Sequence, residues 1–316
     1  MNHVCLIGVG ALGIRHLEGL LKASTPMLFT IVDPSPTALE RARALPPSNH
    51  TVSYSSELPD GNVDVAIIAT TSGHRAAAVR DILARASVRF IILEKILFTR
   101  AEDYGSIGAL LKEKNVEAWV NTSLRIMPVR RDIRDAILGH PFSIHFAGGS
   151  RHGLMTNLVH YADYASYLAG SSDFELDTQL LSSQVLDSKR SGYKELQGSV
   201  ELRFKNGSRV LCTSLAHLRP RRTIISSRTI RAVFDESDDM AHVANERNQW
   251  TWKSGPAPLM RQSDMTGLLV EEILSTGSCE LPTYEESARI HLNVLEPIRS
   301  FLASHRHTFD VAYPFT

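Results

Sequence analysis

Residues 4–13 read Val-Cys-Leu-Ile-Gly-Val-Gly-Ala-Leu-Gly, an apolar run that leads into a glycine-rich turn and then into a helical pattern. Gly8 would make the tight turn, Gly10 would let the backbone approach a pyrophosphate, and Gly13 would let helix and strand pack closely. The helix would point its first N–H groups at the phosphates. A plain tight turn is the alternative. The strand-loop-helix context favours a dinucleotide-binding loop formed by Gly8, Gly10, Ala11, Leu12 and Gly13.

Asp33 stands at the end of the next apolar run, about 20 residues beyond Gly13. A carboxylate there accepts hydrogen bonds from ribose hydroxyls and repels a 2′-phosphate. No arginine follows, because the next residues are Pro34, Ser35 and Pro36. The spacing predicts NAD rather than NADP as cofactor, with a turn-forming aspartate before proline as the alternative.

Apolar runs alternate with helical patterns through the first part of the chain, as in a doubly wound parallel sheet. The predicted strands are 4–7, 28–32, 63–69 and 89–93, and the clearest predicted helices are 74–86 and 101–114. After about Val120 the alternation stops. A hairpin around Asn206-Gly207 follows within residues 199–215. Residues 223–234 show further β-branched alternation, and residues 263–274 and 284–302 have the patterns of two late helices.

The chain of 316 residues exceeds what one core usually supports, so two domains are expected. We predict an α/β fold in which a doubly wound parallel Rossmann sheet, residues 1–120, is followed by an α+β domain with a largely antiparallel sheet, residues 121–316. The second domain would bind the substrate.

The composition favours a small-molecule partner. Lys plus Arg and Asp plus Glu are both 34, so the net charge is zero and no basic field is available for nucleic acid or an anionic membrane. The three cysteines, Cys5, Cys212 and Cys279, lack metal-ligand or redox spacing, so we expect reduced structural thiols and no metal site. Without a spanning apolar run or a signal sequence, the expected location is cytoplasmic.

Glu94-Lys95 follows an apolar strand directly, at the sheet edge where open α/β sheets bind ligands. A partly desolvated lysine there can serve as the acid for a developing alkoxide. An ordinary ion pair at the sheet edge is the alternative.

Asn157, His160 and Asp163 recur every three residues, so a helix would carry them on one side. Such a face can present an imidazole to a substrate carbonyl or hydroxyl. A structural histidine with satisfied hydrogen bonds is at least as good an interpretation of His160 taken alone.

In chain order, the glycine motif with His16, Thr70-Thr71 with His74, Glu94-Lys95, and His160 with Asp163 before Leu168-Ala-Gly resemble the Gfo/Idh/MocA oxidoreductase family over nearly the whole chain. The resemblance implies a second domain whose open antiparallel sheet often forms the oligomer interface, hence a homodimer or homotetramer, and substrates such as sugars. It implies Lys95 and His160 as catalytic pair. Cofactor contacts would include Thr70, Thr71, His74, Glu94 and Lys95, and substrate contacts Asn121, Arg125, Asn157, His160 and Asp163.

Three positions depart from the family pattern. Ile96 replaces the proline of Glu-Lys-Pro, so we expect a trans Lys95-Ile96 bond, because a cis bond before a non-proline residue costs roughly 2.5–4 kcal/mol. Thr156 replaces the acid four residues before the histidine, and Asn157 is its possible substitute. Asn121 and Arg125 match the family's Asn-x-Arg segment with altered spacing.

The substrate stays open at this stage. Asn157 before the histidine resembles a branch linked to bacterial surface-sugar biosynthesis, and Arg219, Arg221 and Arg222 could contact the diphosphate of a nucleotide sugar. A solvated basic turn is the alternative for these arginines. The predicted function is NAD(H)-dependent hydride transfer to or from a sugar-like substrate. The alternatives are a catalytically idle NAD(H)-binding regulator and a redox-neutral NAD-using lyase or hydrolase.

Overall fold

A six-stranded parallel sheet forms the centre of the N-terminal part of the protein, with the strand order β3-β2-β1-β4-β5-β6. In the computed structural model, which describes residues 1–137, 139–149, 153–218 and 221–316, its strands are β1 His3–Ile7, β2 Leu28–Val32, β3 Thr51–Ser55, β4 Gly61–Ile68, β5 Ala86–Leu93 and β6 Glu117–Val120. This is the order of a dinucleotide-binding Rossmann sheet, so the predicted α/β class is confirmed.

Four helices connect these strands: α1 Ala11–Leu20, α2 Pro36–Arg43, α3 Ser72–Arg85 and α4 Ala101–Glu113. The inner strands read as continuous apolar runs because helices cover both faces of a doubly wound sheet. All residues of β1 after His3 are buried. Cys5 lies among them, and Cys5, Cys212 and Cys279 are free cysteines, as predicted.

An eight-stranded open sheet follows, with the order β16-β15-β14-β13-β7-β12-β11-β8. Its strands are β7 Phe142–Gly148, β8 Phe174–Asp177, β11 Gly198–Phe204, β12 Arg209–Ser214, β13 Arg222–Ser227, β14 Ile230–Asp235, β15 Met240–Asn245 and β16 Lys253–Pro256, and a separate two-stranded ribbon joins β9 Leu186–Asp187 to β10 Lys194–Glu195. Strands β7 and β12 pair in parallel, whereas the neighbouring pairs are antiparallel. The predicted hairpin at Asn206-Gly207 joins β11 to β12.

The remaining helices are α5 Pro128–Ile137, α6 Leu154–Ala169, α7 Gln262–Thr276 and α8 Tyr284–Ser304. The chain divides into two compact units: Met1–Asn121 with Met260–Tyr284, and Thr122–Leu259 with Glu285–Thr316. Helix α7, which the sequence interpretation placed in the second domain, therefore packs in the first unit. The reason is its close contact with α1, where a Cβ on Gly267 would lie 2.5 Å from the Gly19 oxygen. Among the described residues, no helix is long and apolar enough to span a membrane.

Candidate cofactor and catalytic site

The glycine loop between β1 and α1 has the backbone geometry that its sequence predicts. Gly8 has φ +91°, a left-handed conformation that disfavours residues with a Cβ. A Cβ on Gly13 would lie 1.9 Å from the Gly8 oxygen, so this position requires glycine. A Cβ on Gly10, in contrast, would meet nothing within 4 Å, because Gly10 faces open space. The loop therefore leaves room beside its backbone for a ligand.

Gly10 is the N-cap residue of α1, and no side chain caps the helix. Its N–H groups and the positive end of the helix dipole suit a phosphate. Asp33, half-buried after β2, accepts the Val9 N–H through Oδ2 at 2.8 Å and the Ser35 N–H through Oδ1 at 2.9 Å. Each carboxylate oxygen keeps a lone pair for a ribose hydroxyl. These residues fit NAD.

Thr70, Thr71 and His74 lie where β4 gives way to α3. The Thr71 hydroxyl oxygen is 3.0 Å from His74 Nδ1, and His74 is exposed. The Thr70 Oγ1 atom is buried, and it has no hydrogen-bond partner among the described residues. A buried hydroxyl without a partner is costly, so it is a candidate contact for a bound ligand.

Glu94 forms the centre of a buried polar network at the end of β5. His16 Nε2 lies 2.9 Å from Glu94 Oε1, and the Asn121 amide donates to the same oxygen. On its other side His16 contacts the Thr266 hydroxyl at 3.1 Å. Burial raises the pKa of Glu94, but the hydrogen bonds from His16 and Asn121 and the charges of His16 and Lys95 outweigh it and lower this pKa to about 2. Glu94 is therefore a fixed buried anion next to Lys95.

Asn121, predicted as a substrate contact, is buried in the same network. Its Nδ2 also donates to Gln262 Oε1 at 2.6 Å, whereas its Oδ1 is buried without a partner among the described residues. The Oδ1 atom is thus able to accept a hydrogen bond from a ligand.

Lys95 is largely buried, with 8% of its surface exposed. The expectation of a trans peptide bond after it is wrong, because the Lys95-Ile96 bond is cis. The guanidinium of Arg75, on α3, contacts this turn: it donates to the carbonyl oxygen of Ile96 and, at 3.0 Å, to that of Leu97. It also donates to the Thr70 carbonyl. Arg75 therefore ties the segment after β5 to the segment after β4.

In the second unit, α6 carries Asn157, His160 and Asp163. Asn157 donates to the Gly153 carbonyl at 2.9 Å, and His160 is half-buried. Asp163 is fully buried and accepts two hydrogen bonds from Arg125, at 3.0 and 2.6 Å.

Arg125 is itself buried and also donates to Glu286 at 2.9 Å. Burial lowers the pKa of its guanidinium, but the carboxylates of Asp163 and Glu286 outweigh burial and raise it. The structure thus joins two of the predicted substrate contacts, Arg125 and Asp163, in an ion pair.

Thr156, which stands where the resemblance expects an acid, is hydrogen-bonded to a carboxylate from another element. Its hydroxyl donates to Glu195 Oε2 at 2.9 Å, and Glu195 lies at the end of β10. Of the predicted phosphate-binding arginines, Arg221 pairs with Glu236 at 3.1 Å and Arg222 with Asp235 at 2.8 Å. Arg219 lies outside the described residues.

Residues 2–122 match the model of the Gfo/Idh/MocA family, described as an oxidoreductase family with an NAD-binding Rossmann fold. The N-terminal region is thus similar to the Rossmann domain of this family. The predicted family, the cofactor NAD and the oxidoreductase class are thereby confirmed at this level. No curated protein sequence matches the chain.

Solved structures share the fold of this protein over nearly the whole chain. An oxidoreductase from Agrobacterium radiobacter in complex with NAD+, L-tartaric acid and magnesium has a TM-score of 0.75 and 15% identity, with 96% of each chain covered. UDP-N-acetylglucosamine 3-dehydrogenase GnnA from Acidithiobacillus ferrooxidans has a TM-score of 0.71 and 13% identity, covering 96% of this chain and 99% of its own. The WlbA dehydrogenase from Bordetella pertussis, in complex with NADH and UDP-GlcNAcA, has a TM-score of 0.67 and 19% identity, covering 95% and 96%.

Sequence reasoning missed three residues of the candidate site and its surroundings. The motif includes His16, but its contact with Glu94 depends on how α1 and the end of β5 pack together, which the sequence alone does not give. Arg75 stands four residues before Val79 and seven before Ile82, so a helix places its charge on the same side as these apolar residues, which was a usable signal. Glu195 gives no sequence signal, because its contacts with α6 are 39 or 40 residues away along the chain.

Proposed function

We propose that this protein is an NAD(H)-dependent oxidoreductase that moves a hydride between the nicotinamide and a carbinol or ketone carbon of a sugar or nucleotide sugar. The observation that carries the proposal is the glycine loop and Lys95 at the same edge of one parallel sheet, with Lys95 held beside the buried anion Glu94. Ligands of open α/β sheets bind at this carboxyl edge.

The cofactor would be held by the loop Gly8–Gly13 and by Asp33. The N–H groups at the start of α1 would bind the pyrophosphate, and the Asp33 carboxylate would accept from the ribose hydroxyls. Thr70 Oγ1 and Asn121 Oδ1 supply two further buried polar atoms for hydrogen bonding. When bound, NAD supplies the ring that accepts or returns the hydride.

Lys95 and His160 are the proposed acid/base pair. When a hydroxyl is oxidised, its carbon loses a hydride and its oxygen loses a proton, and one of these two side chains takes the proton. In the reverse direction the same group returns a proton to the developing alkoxide. Asn157 is proposed as a hydrogen-bond donor to the substrate, whereas Arg125 and Asp163 support α6 through their mutual ion pair.

The substrate class is proposed from two sources. GnnA and WlbA, whose fold this chain shares, are by name dehydrogenases, one of UDP-N-acetylglucosamine and one bound to UDP-GlcNAcA. Two further structures of similar fold, TM-score 0.70 each, are levoglucosan dehydrogenase with NADH and L-sorbose or levoglucosan. A cytoplasmic location and a homodimeric or homotetrameric state complete the proposal.

Cofactor binding is tested by fluorescence titration with NADH and NADPH. We expect NADH to bind at least about tenfold more tightly than NADPH, and Asp33→Ala to remove this preference. Asp264→Ala, which changes an exposed carboxylate paired with Lys22, is the matched control. If neither nucleotide binds, the proposed function is wrong.

Turnover is tested by NAD+ reduction with UDP-N-acetylglucosamine, levoglucosan and L-tartaric acid as probes. Lys95→Met and His160→Ala should each lower kcat by about 10² or more, the usual scale for a positioned acid or base. Lys114→Met and His305→Ala change exposed residues and should leave kcat unchanged. Full activity of Lys95→Met would remove this residue from the mechanism.

A further inference from the structure

The Glu195 carboxylate, although it belongs to the short strand β10, closes the N-terminal end of α6. Its Oε1 accepts the N–H groups of Met155 and Leu196, at 2.5 and 3.0 Å. Its Oε2 accepts the Thr156 N–H at 3.2 Å and the Thr156 hydroxyl at 2.9 Å. All four lone-pair positions of this carboxylate are therefore used, and three of them hold the first turn of α6.

The residues around Glu195 bury its side chain and leave space for its carboxylate. Glu195 is buried, with 8% of its surface exposed. Gly153, the residue before α6, has φ +67°, and a Cβ there would lie 2.1 Å from Glu195 Oε2. A glycine at this position thus makes room for the carboxylate. A negative charge at a helix N-terminus is further stabilised by the helix dipole.

The turn that Glu195 holds is the turn before His160. Thr156 and His160 are four residues apart on α6, so their side chains are neighbours on one side of the helix. Both are half-buried. The Glu195 carboxylate fixes both the backbone N–H and the hydroxyl of Thr156. Because Thr156 and His160 lie on the same side of α6, this also fixes the direction in which the helix points the His160 imidazole.

We infer that Glu195 is a positioning residue for His160: a carboxylate from β10 that fixes the first turn of α6 and thereby the setting of the imidazole one turn later. This inference rests on the proposed role of His160 in proton transfer. It assigns a function to a residue that lies outside the motifs of the Rossmann domain and outside α6 itself.

The test compares Glu195→Gln, which keeps the shape but removes the charge and replaces one accepting oxygen with a donating NH2, with Glu195→Asp and with the control Glu201→Gln. Glu201 is a partly exposed carboxylate on β11, paired with Arg203. For Glu195→Gln we expect kcat to fall about tenfold, with KM and the NADH dissociation constant within about threefold of wild type. Rates are divided by the concentration of protomers that bind NADH, so that unfolded protein does not count.

Two further variants separate positioning from bulk stability. Thr156→Asp in the Glu195→Gln background restores a carboxylate in the first turn of α6 and should recover at least about a third of the lost rate. Glu195→Asp, which keeps the charge, should lie between wild type and Glu195→Gln and covers the case in which Glu195→Gln does not fold. A merely structural carboxylate would lower Tm but leave kcat per NADH-binding protomer unchanged, and this result would overturn the inference.

A spectroscopic measurement makes the test independent of the substrate. In protein labelled at histidine, the imidazole signal that disappears in His160→Gln belongs to His160. Glu195→Gln should move this signal, and Glu201→Gln should not. If the signal moves but neither NADH nor NADPH binds, the positioning role stands and the proposed function is wrong. If the signal stays in place, the inference is overturned whether or not turnover is found.

Discussion

Replacing Glu94 with Gln tests the buried network beneath the proposed catalytic lysine. Both hydrogen bonds that it accepts, from His16 and Asn121, end on Oε1. A glutamine keeps an oxygen at this place and has nearly the same shape. Glu94→Gln therefore removes the negative charge and little else, so its effect measures what the charge contributes.

Two estimates of the loss agree. Hydrogen bonds to a charged group contribute about 1.5–3 kcal/mol and neutral ones about half, so two bonds that become neutral lose about 1.5–3 kcal/mol together. The pKa of Glu94 falls from 4.5 to about 2 in the folded protein. At about 1.4 kcal/mol per tenfold change in an equilibrium constant, this difference corresponds to about 3 kcal/mol. We therefore expect Glu94→Gln to lower the free energy of unfolding by about 2–3 kcal/mol.

The sign with pH follows from the lowered pKa. Stabilisation by the Glu94 charge is complete above pH 4.5 and is lost as the pH falls from there towards 2, because the unfolded chain binds the proton first. The stability of wild type and Glu94→Gln should therefore converge as the pH approaches about 2. Above about pH 5 the difference should be constant.

The assay is urea unfolding followed by the fluorescence of Trp119, which is buried on β6 of the same unit. Trp250→Phe and Trp252→Phe remove the two exposed tryptophans of the second unit. A double-mutant cycle with His16→Asn should give a coupling free energy of about 1 kcal/mol or more. A loss below about 0.5 kcal/mol at pH 7, or a loss that does not shrink in acid, would refute the reasoning.

Three further predictions concern other parts of the structure. Gly13→Ala should lower the free energy of unfolding by about 1–3 kcal/mol, because its Cβ would lie 1.9 Å from a backbone oxygen. Gly10→Ala should leave the urea midpoint unchanged but weaken NADH binding at least about tenfold. Equal effects of the two variants on stability would contradict the loop geometry. Arg125→Met should lower the free energy of unfolding by about 3–5 kcal/mol, because it leaves Asp163 as an unpaired buried charge, and Asp163→Leu in the same chain should recover much of this loss. Burial raises the pKa of the Cys5 thiol to about 12, so a disulfide reagent at pH 8 should modify it only after urea is added, and reaction in the folded protein would contradict its burial.

Local patterns predicted the geometry of the glycine loop well. The glycine spacing within residues 8–13 determines its own backbone conformation, and Asp33 follows at the end of the next strand. The helix around His160 was equally accessible, because its spacing is a property of neighbouring residues. The sequence reasoning also identified the residues Glu94 and Lys95 correctly as the end of a strand.

Contacts between distant segments were beyond the reach of the sequence. Strand β3, Thr51–Ser55, is half-exposed and has no continuous apolar run, so it was missed. Arg125 and Asp163 were both expected to contact a ligand, but in the structure they form an ion pair with each other. This pairing depends on how α6 packs, which the sequence does not show. Glu195 meets α6 because β10 returns to its N-terminus, and no periodicity in the sequence records this return.

The packing of α7 on α1 has a consequence for biosynthesis. The Rossmann unit obtains one of its helices from residues 262–276, after the entire second sheet has been synthesised. A nascent chain that has just left the ribosome with residues 1–121 therefore carries an α1 whose Gly19 side lacks its partner, because Gly267 and its neighbours do not yet exist. Translation must proceed through residue 276 before the first unit can close. Expression of residues 1–121 alone would leave that apolar helix face exposed, with aggregation as the expected outcome.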